Sequence, residues 1–216
     1  MRFPDARIQV FAKSPEPGRT KTRLIPLLGE AGAAAFHARQ VHERLSMLTA
    51  AGLCPVELWC SPSSSTDFFR DCGERHDVSL HDQSAGDLGV RMHRALASVL
   101  EHADAAVLVG TDCPSLGPAD IYESFSEMYQ GADVVLGPAQ DGGYYLVAIQ
   151  QPTPAIFSGI PWGTSAVLAE SVKRLEQLGL SHHYLTVRRD VDTPEDYRRL
   201  YNSHEAGIEL SDKAPQ

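Results

Sequence analysis

The chain has 216 residues, 43% hydrophobic and 22% charged, with a formal net charge of -9. That content supports a packed core, and the negative balance excludes a general nucleic-acid binder, whose surface is broadly basic. A small anionic ligand stays compatible, because a local basic loop focuses field inside an acidic protein.

Cys54, Cys60, Cys72 and Cys113 form no CxxC pair and no metal-finger spacing, so reduced thiols are expected. No apolar run reaches the ~20 residues that span a bilayer. Met1–Arg7 lacks the apolar stretch of a signal peptide. The expectation is a cytoplasmic protein without a membrane span.

In chain order, "RIQVFA" (Arg7–Ala12) reads as a first strand, β-branched and without a breaker. The loop that follows, within "FAKSPEPGRTKTRLIPLLG", gathers Lys13, Arg19, Lys21 and Arg23 against Glu16 alone. "EAGAAAFHARQVHERLSMLTAAG" reads as a long helix, with Phe36, Val41, Leu45 and Leu48 at helical spacing and Gly52 as its stop. "VELWC" is a second strand, "STDFFRDCG" a short helix and "VSLHDQ" a third strand. "GDLGVRMHRALASVLEHA" is a second long helix with Leu88, Met92, Leu96 and Val99 on one face. "AAVLVG" (Ala105–Gly110) is the most apolar run and reads as a central parallel strand buried on both faces.

"ADVVLGPA" and "YYLVAI" read as two strands around the turn signal "QDGG". A further helix over "TSAVLAESVKRLEQLG" and a strand at "HHYLTV" follow. "TPEDYRRLYN" opens a last helix with a Thr cap and Pro at the first helical position. The alternation predicts a three-layer α/β/α fold with a mostly parallel mixed sheet. One domain over residues 1–203 with a polar, mobile tail over 204–216 is the economical reading.

In such a sheet, ligands bind outside the carboxyl ends of strands, and four informative segments follow strands: the basic loop, "GDLG", "TDCPSL" and "RDVDTPED". The basic loop fails the P-loop pattern, because Thr20 rather than Gly precedes Lys21-Thr22. Its cations still suit phosphate oxygens, or a solvated charge run. Asp112 directly follows the most apolar strand, where it either holds Mg²⁺ or Mn²⁺ or caps a turn through Pro114. Asp190 and Asp192 both offer a second acid and face the same side if that segment is extended. In "PAQDGGYYL", two glycines permit close backbone approach, and Asp141 could accept a hydroxyl; a glycine hairpin turn is the rival.

"GRTKTRLIPLLG" resembles a divergent "GxGTRLxPL" loop of sugar-phosphate nucleotidylyltransferases, and "KTRL" is similar to phospholactate guanylyltransferases; molybdenum-cofactor guanylyltransferases are related. "GTDCP" resembles the metal-binding segment of the glycosyltransferase-A fold, and "DVDTPED" resembles the D-x-P-x-D segment of cytidylyltransferases. With "QSAGDLGVRM" and "LGPAQDGGYYL", the core from about Arg7 to Leu200 resembles a bacterial family of glycosyltransferase-A-type proteins, the radical-SAM/selenodomain-associated transferases.

The resemblance implies a Rossmann-like nucleotide-diphospho-sugar transferase fold and a nucleotide bound with Mg²⁺ or Mn²⁺. Ala12, Lys13, Gly18, Lys21, Arg23, Gln83, Gly86 and Asp112 would bind the nucleotide, with Gln83 and Gly86 near the base. Asp112 and Asp192 would ligate the metal, Asp190 being the alternative to Asp192. Asp141, Gly142, Gly143 and Tyr144 would line the second-substrate side, with Lys21, Arg23 and Asp141 as catalytic groups.

The expected partners are a nucleotide or nucleotide-sugar and a small-molecule acceptor; oligomeric state is not indicated. The activity expected first is glycosyl transfer. The second is nucleotidyl transfer from an NTP to a small phosphorylated acid or sugar with pyrophosphate release, and the third is non-catalytic nucleotide binding. The first loop lacks most of the signature's glycines, so a triphosphate and a sugar diphosphate both stay open.

Overall fold

The computed structural model describes residues 1–211, with side chains through 202. Strands β1 (Ala6–Lys13), β2 (Val56–Ser61), β3 (Ser79–Asp82), β4 (Ala105–Val109), β5 (Val134–Pro138), β6 (Tyr144–Ile149) and β7 (His182–Tyr184) form one sheet in the order β3-β2-β1-β4-β6-β5-β7. Only β6 runs antiparallel to its neighbours. It lies between β4 and β5, so the turn at "QDGG" returns the chain along β5 and inserts it beside β4. The fold is a mixed, mostly parallel α/β sheet flanked by helices, as the alternation predicts.

All five residues of β4 are buried. Alternate side chains of β4, β5 and β6 enter different cores: Val107, Val135 and Ala148 join one with Leu45 and Phe125. Leu108, Leu136 and Val147 join the other with Met92 and Leu96. That two-sided burial is what a run of Ala, Val and Leu without polar alternation signals.

The helices are α1 (Ile25–Ala51), α2 (Asp67–His76), α3 (Leu88–Leu100), α4 (Pro118–Tyr129), α5 (Val167–Leu178) and α6 (Pro194–Ser211). On α1, Phe36, Val41, Leu45 and Leu48 are buried as their spacing predicts. Gly29, with φ 70° and ψ 170°, breaks the regular helix near its start.

Three expectations change. Leu88 opens α3 and is 44% exposed, because the first turn lies at the rim of the crevice described below. The helix α4 was not predicted, although Pro118 takes its first position and Asp120 accepts the Gly117 amide at its start. α6 continues to Ser211, through most of the segment predicted as a tail, and residues 212–216 lie outside the described ones. All four cysteines are buried and free. No helix among the described residues is long and apolar enough to cross a membrane.

Candidate functional site

Parallel strands share a carboxyl edge, and the loops leaving that edge enclose a crevice of about 700 Å³. Its walls mix apolar side chains such as Phe11 and Met92 with cations and carboxylates, the composition of a site that orients a polar ligand.

The basic loop is stiff. Thr20 is buried, and its hydroxyl donates to the Ser14 carbonyl at 2.9 Å while accepting from the Glu16 amide at 3.2 Å. Lys21 then sits at φ 49°, ψ 44°, the left-handed region that side chains with a Cβ enter at a cost of about 1–2 kcal/mol. The GxGTRL signature gives this position to glycine. On α1, His37 donates through Nε2 to the Lys13 carbonyl at 3.0 Å and so pins the end of β1.

The lysine meets three oxygens. Lys21 Nζ lies 2.7 Å from the Val191 carbonyl, 2.9 Å from Asp192 Oδ1 and 2.7 Å from Asp112 Oδ1. Its side chain is only 5% exposed. Burial works against its charge, but the Asp112 and Asp192 carboxylates hold its pKa above the ordinary lysine value. An ammonium has three protons to donate. The phosphate role expected of Lys21 therefore requires it to leave these partners.

Asp112 follows β4, and its carbonyl accepts the Val191 amide at 2.8 Å, which ties the segment carrying Asp190 and Asp192 to the strand end. Val191 is buried against Leu24 and Phe36. Its neighbours Asp190 and Asp192 line the crevice on the other side, as an extended segment requires. Asp190 Oδ1 is shut off from solvent with no hydrogen-bond partner. Burial, followed by Asp112, Asp141 and Asp192, pushes its pKa up to about 7.

The site thus brings together Ala12, Lys13, Lys21, Arg23, Gln83, Gly86, Asp112, Asp141, Tyr144 and Asp192 from the expected set. Gly18, Gly142 and Gly143 do not line it. Gly18, at φ 78°, lies beside the Glu30 carboxylate. Gly142, at φ 91°, packs so tightly that a Cβ would fall 2.1 Å from the Ser165 carbonyl oxygen. The Gly142 requirement is therefore backbone packing within the chain. Asp141 is exposed, and its Oδ1 accepts the Gly143 amide at 2.9 Å, which leaves the other oxygen for a ligand.

Tyr144 offers only its ring to the crevice; its hydroxyl neighbours Ser171, and burial raises its pKa. Gln83 donates through Nε2 to the Trp59 and Ala12 carbonyls at 2.9 and 3.3 Å, so its oxygen is left as an acceptor. Arg91 and His37 are lining residues that the sequence reading did not single out. Arg91 follows the α3 start, where its Nε donates to the Gly86 carbonyl at 2.9 Å. Its place two residues after "GDLG" was the available signal.

As the side chains stand, no three His, Cys, Asp or Glu among the described residues are gathered to hold a metal, and Lys21 lies between Asp112 and Asp192. The donor chemistry fits a hard divalent cation all the same. Asp112, Asp190 and Asp192 are oxygen donors, which such cations take, and the buried Asp190 Oδ1 has no partner among the described residues.

Residues 44–164 match a family described as "Uncharacterized protein conserved in bacteria (DUF2064)". No curated protein matches the chain. A crystal structure from Desulfovibrio desulfuricans G20, described as a candidate nucleotide-diphospho-sugar transferase, is 30% identical over 93% of this chain and 87% of its own, with a TM-score of 0.85. At 9% identity and a TM-score of 0.63, the fold is shared with the 4-diphosphocytidyl-2C-methyl-D-erythritol synthase of Anaerococcus prevotii, over 93% of this chain and 96% of that one. Glucosyl-3-phosphoglycerate synthase of Mycobacterium tuberculosis, solved with Mn²⁺ and UDP, shares it at 13% identity and a TM-score of 0.55, over 91% and 75% of the two chains.

Proposed function

The chain belongs to this bacterial DUF2064 family, and we propose that it is a divalent-metal-dependent transferase that uses a nucleotide-sugar or an NTP. The observation that carries this reading is the facing of a rigid basic loop and an acidic cluster, Asp112, Asp190 and Asp192, across one crevice at the strand ends. The description of the Desulfovibrio protein, similar over nearly the whole chain, supports the same reading. The resemblance to radical-SAM/selenodomain-associated transferases and to phospholactate guanylyltransferases belongs to it as well.

Ala12, Gln83 and Gly86 hold the nucleoside end, with the Gln83 oxygen accepting from the base. Lys13 and Arg23 have no ion-pair partner among the described residues and bind the phosphates, Arg23 as a fork and Lys13 as a point charge. Arg91 adds its free guanidinium nitrogens. Asp112 and Asp192, with Asp190 as third acid, would hold Mg²⁺ or Mn²⁺, which supplies charge neutralisation at the phosphate that leaves.

Glycosyl transfer is the first form of the reaction. The unengaged oxygen of Asp141 then takes the proton of the acceptor hydroxyl as general base. Nucleotidyl transfer is the second, and an acceptor that is already an anion needs no base.

The test is a thermal-shift panel of NTPs and nucleotide-sugars with and without Mg²⁺ or Mn²⁺. The matching nucleotide should raise the Tm by mass action, and Asp112→Ala should abolish the metal-dependent part of that rise. A panel with no shift would sink the transferase reading. Release of nucleoside diphosphate from a nucleotide-sugar, against pyrophosphate from an NTP, then decides the reaction. A nucleotide that binds and stays intact with every acceptor would leave a binding protein.

A further inference from the structure

We propose that the Lys21 ammonium is a built-in stand-in for the divalent cation, and that metal enters between Asp112 and Asp192 only when Lys21 moves onto an incoming phosphate. The exchange rests on the reading of the crevice as a metal and nucleotide site, and adds to it an order and a coupling.

The geometry is that of a cation site already filled. Lys21 Nζ sits between the two carboxylates, hydrogen-bonded to Asp192 Oδ1 at 2.9 Å and in an ion-pair contact with Asp112 Oδ1 at 2.7 Å. Mg²⁺ would draw its oxygens to about 2.0–2.1 Å, so it cannot share the space. The Lys21 side chain is only 5% exposed, while Asp112 and Asp192 keep 44% and 38% of theirs open to the crevice, where an incoming ion can reach them.

Charge points the same way. Three carboxylates, Asp112, Asp190 and Asp192, face one lysine, and Asp190 Oδ1 finds no partner. One positive charge leaves the cluster short, and a divalent cation would serve it better. A buried lysine could not leave without somewhere to put its charge, and a phosphate in the crevice provides that place.

The loop is built for side-chain exchange with little backbone movement. Thr20 locks the preceding turn through Ser14 and Glu16, and the Lys21 carbonyl accepts the Leu24 amide at 2.8 Å. The flexible four-carbon stem of lysine is then the moving part. Metal and phosphate must consequently bind with positive coupling, and the coupling is reciprocal.

Protein-bound Mn²⁺ can be measured by equilibrium dialysis, independently of turnover, with the free Mn²⁺ concentration held equal in every arm because tripolyphosphate itself chelates the ion. For the unaltered chain, Mn²⁺ alone should bind weakly, and saturating tripolyphosphate should tighten it by about tenfold or more, a typical coupling size. Lys21→Met should bind Mn²⁺ alone about tenfold tighter than the unaltered chain, with that gain removed by adding Asp112→Asn. If Mn²⁺ binds the unaltered chain equally well with and without tripolyphosphate, or if folded Lys21→Met gains nothing, the exchange is overturned. Should Lys21→Met fail to fold, the tripolyphosphate comparison on the unaltered chain decides alone. A Lys21→Met gain in a chain that no nucleotide stabilises would keep the exchange and reject the transferase reading.

Discussion

His37 shows how one side chain carries the geometry of the basic loop. It is 5% exposed on α1, and the hydrogen bond to the Lys13 carbonyl requires Nε2 to bear the proton. Nδ1 is buried with no partner, so a second proton would have nothing to meet. Burial pushes its pKa down, against the pull of Asp112. A group depressed on folding stabilises the fold above its unfolded pKa, about 6.5 for histidine, and that contribution is lost as pH falls below it. His37→Gln keeps a side-chain N–H for the carbonyl and cannot take the proton. Urea midpoints should therefore fall less for His37→Gln than for the unaltered chain between about pH 8 and about pH 5, by an amount on the order of 1 kcal/mol. Equal losses would remove His37 from the acid response. At this scale the sequence was partly readable. Asp112 stood out because an acid directly after an apolar strand needs a reason, and Asp190 and Asp192 because of their alternation about Val191. The contact of Lys21 with Asp192, across 171 positions, has no local signature.

At the scale of elements, α4 and the segment after β7 act as one support for the site. Asp120 accepts the Gly117 amide through Oδ2 at 2.8 Å and Arg188 Nη2 through Oδ1 at 2.8 Å. The aspartate side chain is 4% exposed and the arginine 23%. Burial opposes the arginine's charge, but Asp120 holds its pKa above the usual value. Arg188 lies just before Asp190, so this pair anchors the chain that presents the acids. Asp120→Asn can still cap α4 but leaves Arg188 without its counter-charge, which should cost about 3 kcal/mol. Denaturant unfolding measures it, and a loss below about 0.5 kcal/mol would show that the pair is not needed. Long periodic elements such as α1 and α3 were legible because each buries a face at 3.6-residue spacing. α4 was missed although "PADIYESFSEMY" sets its buried Ile121, Phe125 and Met128 at i, i+4 and i+7; the exposed Tyr122 and Tyr129 beside that face blur its apolar boundary. The insertion of β6 beside β4 depends on pairing choices that no local run encodes.

For the whole molecule, the seven-stranded sheet decides how cores and site answer to one another. Each of β4, β5 and β6 sends alternate residues into both large clusters. One cluster cannot open without stripping the strands that the other is built on. The crevice draws on the same strands: Leu108 of β4 and Val147 of β6 line it and also belong to one of the cores. We therefore propose that residues 1–203 unfold as one unit. Phe125→Ala in one cluster and Leu96→Ala in the other should each lower stability by about 2–5 kcal/mol. Each should move a single calorimetric peak down without splitting it. Mn²⁺ with the matching nucleotide should move that same peak up as a whole, since the proposed site is assembled from β1, β4 and the segment after β7 together. A second transition that appears in either variant, or that the ligand leaves in place, would mean that the two faces of the sheet are independent and that the site reports on only one of them.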